Sequence, residues 1–283
     1  MVTTSCCWPV LRKAPHRAVE QCRSAGAESV GVYPVDVGDD AAVGAAVERM
    51  RVEHGQIDAV VHSAGVVAYG RTEEQPAPIV EGVVRTNLIG SVNVVRHVLP
   101  AMRDRNQGTI VLMGSVIGHI AVPGMTPYAV SKWGVRALAR QLQVENRDKG
   151  GVHIVYLSPG GVDTPIYLQG ANILGTVGRP PPPVDPPERI AEAALRLLDS
   201  PRQRVQVGRA NNLMRLGFNV LPWLYDRLVG PLFPVGALAQ NAAPTREDGN
   251  VLEPNPALER LRGEQGPALA GIVANVRAIW RSR

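Results

Sequence analysis

Apolar residues along this chain alternate between short continuous runs and stripes at helical spacing. The clearest stripe spans residues 80–104. There Val84, Leu88, Val92, Val95, Leu99 and Met102 are spaced four, four, three, four and three apart, which is one face of a helix. The runs predict strands at Ser29–Val37, with Pro34 suited to a sheet edge, at Asp58–Val61, at 109–113, at Val152–Leu157 and around Val205–Val207. Further helices are expected before Gly26, through Ala41, Val43, Val47 and Met50 behind an Asp39 or Asp40 cap, over 126–148, and over Glu188–Leu198. Strand and helix alternate, so the fold class is α/β: a doubly wound parallel sheet covered on both faces.

The remaining segments break this rhythm. Residues 1–15 show no period, and residues 170–187 are rich in Pro and Gly and predict a mobile loop. Residues 209–240 are apolar and carry aromatics (Phe218, Trp223, Tyr225, Phe233). Residues 241–256 read as a linker and 257–281 as a weak terminal helix. The expected division is an unplaced segment 1–15, an α/β domain 16–208, and a C-terminal apolar, helical extension 209–283.

Chemistry-bearing residues cluster just after strands, at Ala64-Gly65, Ser115 and Pro159-Gly160. Ligands of open parallel sheets bind beyond the carboxyl ends of their strands. Tyr128 and Lys132 are four apart and share a helix face, thirteen residues or more beyond Ser115. A phenol, an ammonium and a hydroxyl make a proton-transfer unit. Free tyrosine titrates near 10, and bringing it to about 7 takes roughly 4 kcal/mol from a neighbouring cation.

These residues and the text GTIVLMGSVIGHIAVPGMTPYAVSKWGVRALARQL resemble the short-chain dehydrogenase/reductase family, from about Ala14 to about Val207. The resemblance implies a Rossmann-like fold and an NAD(P)-dependent oxidoreductase that interconverts an alcohol and a ketone or aldehyde. It implies Tyr128 as acid/base, Lys132 as the group that tunes it and holds the ribose, and Ser115 on the substrate oxygen. Asn87 would relay protons through water. For the cofactor it implies Asp36 and Val37 at the adenine, Ala64 and Gly65 where backbone approaches, and Pro159, Gly160 and Thr164 at the nicotinamide. His62 and Ser63 stand where the family has Asn residues. Similar proteins are often homodimers or homotetramers.

One part of the pattern is missing. The family opens with a strand and a Thr-Gly-x-x-x-Gly-x-Gly turn that holds the pyrophosphate, whereas the only glycines before Asp36 are Gly26 and Gly31. The strands at 29–37 and 58–61 would then each lose a neighbour. Read one frame over, the codons for Cys6, Cys7 and Trp8 force Leu-Leu-Ala, flanked by options that include Val-Val and Arg. Residues 1–15 are therefore expected to be an out-of-frame version of the family's second strand, and such an Arg favours NADP over NAD. The alternative is a truncated, non-catalytic relative that cannot hold a dinucleotide and acts only as a subunit partner or folds poorly.

Composition narrows the remaining options. The net charge is +5, but the basic residues are scattered without interleaved aromatics, which argues against a nucleic-acid partner. Three cysteines without metal-ligand spacing suit a reducing cytoplasm, and no metal site is expected. No signal peptide and no spanning helix are expected. The apolar stretch 209–240 suits packing on a partner or over a hydrophobic substrate better than a membrane surface, because Pro222, Asp226, Arg227 and Pro231 interrupt it.

Overall fold

The structure, a computed structural model, describes residues 3–6, 14–239, 248–255, 258, 260–266 and 268–281. In order, the main elements are β1 (Thr3–Cys6), α1 (Ala14–Ser24), β2 (Ser29–Val32), α2 (Asp40–His54), β3 (Ala59–His62) and α3 (Ala77–Val84). Next come α4 (Gly90–Asp104), β4 (Gly108–Met113), α5 (Thr126–Glu145) and β5 (Val152–Pro159). The last are α6 (Pro187–Asp199), β6 (Arg204–Val207), α7 (Asn211–Val220), α8 (Pro222–Ala237) and α9 (Ala268–Arg281).

The central sheet runs β6-β5-β4-β3 and is parallel throughout. Its two inner strands are buried on both faces. Ile110, Leu112, Ile154 and Tyr156 point to one side, against Val43 and Val47 of α2, Val95 and Met102 of α4, and Val135 and Leu142 of α5. Val111, Val155 and Leu157 point to the other, against Ile190, Ala193 and Leu197 of α6. Period-2 alternation with apolar residues on both faces is what helices on both sides of a parallel sheet require. This is a Rossmann-like α/β fold.

The β1 strand pairs parallel with β2, Thr3 opposite Ser29 through Cys6 opposite Val32. Among the described residues no ladder joins this pair to β3, so β3 is an edge strand. Val61 on it is 42% exposed. The second strand stops at Val32 instead of Val37. Pro34 lacks the N–H that would continue a ladder, and the chain turns at Asp36, whose carboxylate accepts the Gly38 N–H at 2.8 Å. Asp39 caps α2 by accepting from Ala42 N.

Helices α3 and α4 are one rod joined through a π-turn at 85–89. Residues 170–187 are more ordered than their composition predicts, because three short pairings pin them. Ala171 and Asn172 pair with Ala68 and Tyr69, Val177 and Gly178 with Ala239 and Leu238, and Val184 and Asp185 with Gly161 and Val162. Backbone groups satisfied in this way let Ala171, Val177 and Asp185 be buried. Of the linker expected at 241–256, residues 248–255 are described and the rest lie outside the described residues. The terminal helix begins at Ala268 rather than 257. No helix among the described residues is long and apolar enough to cross a membrane.

Candidate active site

At the carboxyl ends of β3, β4 and β5 the chain encloses a cavity of about 1150 Å³. Three separate elements deliver its polar groups. Ser63 and Gly65 follow β3, Gly114 and Ser115 follow β4, and Pro159, Gly160 and Thr164 come from the end of β5 and beyond. Tyr128 and Lys132 reach in from the first turns of α5. Helices α7 and α8 and the residue between them, Leu221, supply apolar lining that includes Leu213, Leu224, Leu228, Leu232 and Phe233.

Each polar group has a structural reason to be where it is. Ser115 opens a short 3-10 turn, and its hydroxyl accepts the Ile117 N–H at 3.2 Å. Tyr156 braces the same residue from β5: its hydroxyl donates to the Ser115 carbonyl at 3.3 Å and lies 3.4 Å from the Ser115 N–H. Gly114 and Gly118 leave room for that phenol, since a Cβ on either would overlap it. The Lys132 ammonium donates to the Met113 carbonyl at 2.9 Å and lies 5.7 Å from the centre of the Tyr128 ring.

Asn87, in the π-turn, is fully buried. Its carbonyl accepts the Val66 N–H at 2.8 Å, and its amide donates to the Val66 carbonyl and the Ser131 hydroxyl, both at 2.9 Å. Ser131 in turn donates to the Tyr128 carbonyl. The segment after β3 is thereby fastened to the helix that carries Tyr128 and Lys132. Ser131 lies three residues after Tyr128, on the same helix face, and its part in this link was not read from the sequence.

Charge in the site is governed by burial. Tyr128 is pushed up to about 12 by desolvation, with the Ser115 hydroxyl partly opposing. The protein alone thus moves this phenol away from the neutral range, not into it as its cationic neighbour suggested, because removal from water disfavours phenolate. Lys132 is brought down to about 8 by burial. His62, at the end of β3, is held down to about 4, first by burial and then by the charge of Lys132. Its Nε2 is buried without a hydrogen-bond partner, so it is a neutral ring at neutral pH.

Not every residue singled out in the sequence reaches the cavity. Val37 is 1% exposed and packs over Gly90, and its carbonyl accepts from Asn93. Asp36 is exposed and engaged in its turn. Ala64 and Asn87 do not line it.

The donor set suits one end of a nicotinamide dinucleotide. A buried ammonium beside a phenol, with backbone close by at Gly65, matches a ribose and its nicotinamide. At Gly65 a Cβ would stand 3.2 Å from the Asn87 carbonyl oxygen and 3.5 Å from the Lys132 nitrogen. No glycine-rich phosphate cradle is present among the described residues.

Comparison with known proteins gives a consistent picture. Oxidoreductase UcpA of Escherichia coli K12 is 34% identical over 160 residues, which are 56% of this chain and 58% of that protein. The chain therefore matches little more than half the length of that relative. Among solved structures, an alcohol dehydrogenase from Thermococcus sibiricus complexed with 5-hydroxy-NADP is 25% identical with a TM-score of 0.59, covering 68% of this chain and 80% of that one. A short chain dehydrogenase/reductase from Burkholderia phymatum in complex with NAD is 33% identical with a TM-score of 0.50, covering 52% and 53%. The family model for short chain dehydrogenases matches residues 7–170. The chain belongs to the short chain dehydrogenase family.

Proposed function

We propose that this chain is an NAD(P)-dependent oxidoreductase that interconverts a bulky apolar alcohol and its ketone or aldehyde. The observation that carries this is the convergence of Ser115, Tyr128 and Lys132 on one cavity, with the ammonium set beside the phenol. NADP is taken ahead of NAD, in keeping with the 5-hydroxy-NADP bound to the Thermococcus sibiricus relative. The apolar wall from α7 and α8 sets the substrate class.

Tyr128, Lys132, Gly65, Pro159, Gly160 and Thr164 would hold the nicotinamide and ribose. The bound dinucleotide supplies the hydride for the carbonyl carbon. In that direction the Ser115 hydroxyl donates a hydrogen bond to the substrate oxygen. Tyr128 gives its proton to the same oxygen as negative charge develops, and Lys132 stabilises the phenolate left behind. A phenol raised to about 12 is fully protonated at neutral pH, the state that reduction needs. Asn87 completes the set. The resemblance implies a proton relay for it, and its hydrogen bonds support a second role in holding the site together.

The test follows oxidation of NADPH and NADH against a panel of ketones graded from small and polar to large and apolar. Turnover that rises with apolar bulk and disappears in Tyr128→Phe is expected. Equal turnover by the phenylalanine variant would refute the assignment.

A second reading keeps the fold without the chemistry: a subunit that binds no dinucleotide. It is favoured by the unpaired edge of β3 and the absence of a phosphate cradle among the described residues. Thermal stabilisation separates the two. A dinucleotide at 100 times its Kd adds about 2.7 kcal/mol to a protein that binds it and nothing to one that does not.

A further inference from the structure

A second cavity, of about 300 Å³, lies against α5 and the start of β6, lined among others by Trp133, Arg136, Arg140, Tyr156 and Arg204. Among the described residues none of these arginines forms an ion pair with a carboxylate. Nor does Arg215 of α7, whose Nε is buried without a hydrogen-bond partner. The charges sense one another. Burial holds the Arg136 guanidinium below its ordinary value, Tyr156 partly opposes it, and the like charges of Arg215 and Arg204 add to the lowering. Burial followed by Arg136, Arg215 and Arg204 brings His119 down to about 4. No carboxylate offsets either effect. Like charges gathered around a part-buried pocket repel, and a bound anion would reverse that cost.

The rest of the lining narrows the kind of anion. The Arg136 guanidinium lies 5.4 Å from the centre of the Trp133 ring, and Ala137 and Ala139 add apolar floor. Guanidinium forks match phosphate oxygens in pairs. We propose that this pocket binds the phosphoryl group of an organic phosphate, with the apolar body of the ligand against Trp133.

The pocket touches the turn that carries Ser115 twice. Tyr156 lines it and bonds to the Ser115 backbone, and Arg136 donates to the Gly118 carbonyl at 3.1 Å. Occupancy is thus one side chain away from Ser115, so ligand should alter turnover. That consequence, unlike binding itself, rests on the proposed role of Ser115.

The test titrates the whole chain with phenyl phosphate, inorganic phosphate and benzyl alcohol by calorimetry. It includes the variants Arg204→Gln, Arg140→Gln and a control, Arg196→Gln, on the exposed face of α6. Saturable one-to-one binding is expected, tighter for phenyl phosphate than for inorganic phosphate and absent for benzyl alcohol. Either pocket variant should weaken it about tenfold, and the control should leave it unchanged. No saturation by phenyl phosphate, or equal losses in Arg204→Gln and Arg196→Gln, would overturn the proposal. Co-sedimentation with phosphatidylcholine vesicles containing phosphatidic acid, competed by phenyl phosphate, assigns the phosphoryl group to a lipid headgroup. Phenyl phosphate binding without co-sedimentation assigns it to a soluble molecule.

Discussion

Replacing Asn87 by alanine removes three hydrogen bonds from a fully buried position, those to the Val66 N–H, the Val66 carbonyl and the Ser131 hydroxyl. Net contributions near 1 kcal/mol each give about 3 kcal/mol, and stranding the two Val66 backbone groups out of water brings the loss to roughly 3–5 kcal/mol. Chemical denaturation followed by circular dichroism should show a lower midpoint with an unchanged slope. The melting temperature should fall by roughly 2 °C for each kcal/mol lost. Activity at a temperature where the variant is still folded then separates two roles. A clamp predicts that stability and substrate affinity both drop, because Gly65 and the α5 residues no longer hold their spacing. A proton relay predicts a loss in kcat with stability kept. A stability change below about 1 kcal/mol would refute the clamp and leave the relay as the account of why an asparagine is buried here.

Other outcomes follow from the same geometry. Tyr128→Phe should lower kcat by about 10²–10⁴-fold while leaving the urea midpoint close to that of the parent, since only one hydroxyl is lost; a drop of less than tenfold would point to another acid. Ketone reduction needs Tyr128 protonated and Lys132 charged. With these groups at about 12 and about 8, the rate should be flat below pH 8 and fall above it, and a rate that climbs through pH 9 would contradict the assignment. His62 binds a proton more weakly folded, at about 4, than unfolded, at about 6.5. The unfolded chain therefore takes up protons first as pH falls, and stability is lost between those values. For this buried ring the loss is about 3 kcal/mol, and it should shrink in His62→Asn when unfolding is measured at pH 7 and pH 4.

The sheet was legible in the sequence because its inner strands are buried on both faces, and continuous runs such as Ile110-Val111-Leu112 leave few other readings. That Ser115, Tyr128 and Lys132 would meet in one cavity could be read from the sequence, Ser115 because it follows such a run and Tyr128 and Lys132 because they stand one helical turn apart. Other features depend on partners remote in sequence. Tyr156 looks like one more strand residue until its hydroxyl meets Ser115 from 41 positions away. The loop 170–187 looks unstructured because its pairings are two residues long and scattered over Ala68, Gly161 and Leu238. The arginine pocket draws on α5, β5 and β6 and has no local signature.

The π-turn at 85–89 has a bearing on how this chain tolerates length changes. From Ile79 through Val83, Asn87 and Ser91 to Val95, buried residues recur every fourth position. In a regular helix of 3.6 residues per turn such a series would wind about 160° around the axis and carry one end into solvent. The extra residue taken up by the wide turn removes about 100° of that rotation. Residues 79–95, despite an unfavourable repeat, therefore present a single wall to the core. A one-residue deletion within 85–89 would restore ordinary helix geometry locally and swing Ile79 and Val83 away from their pockets. At this place in the chain, residue count is constrained as well as the identity of Asn87.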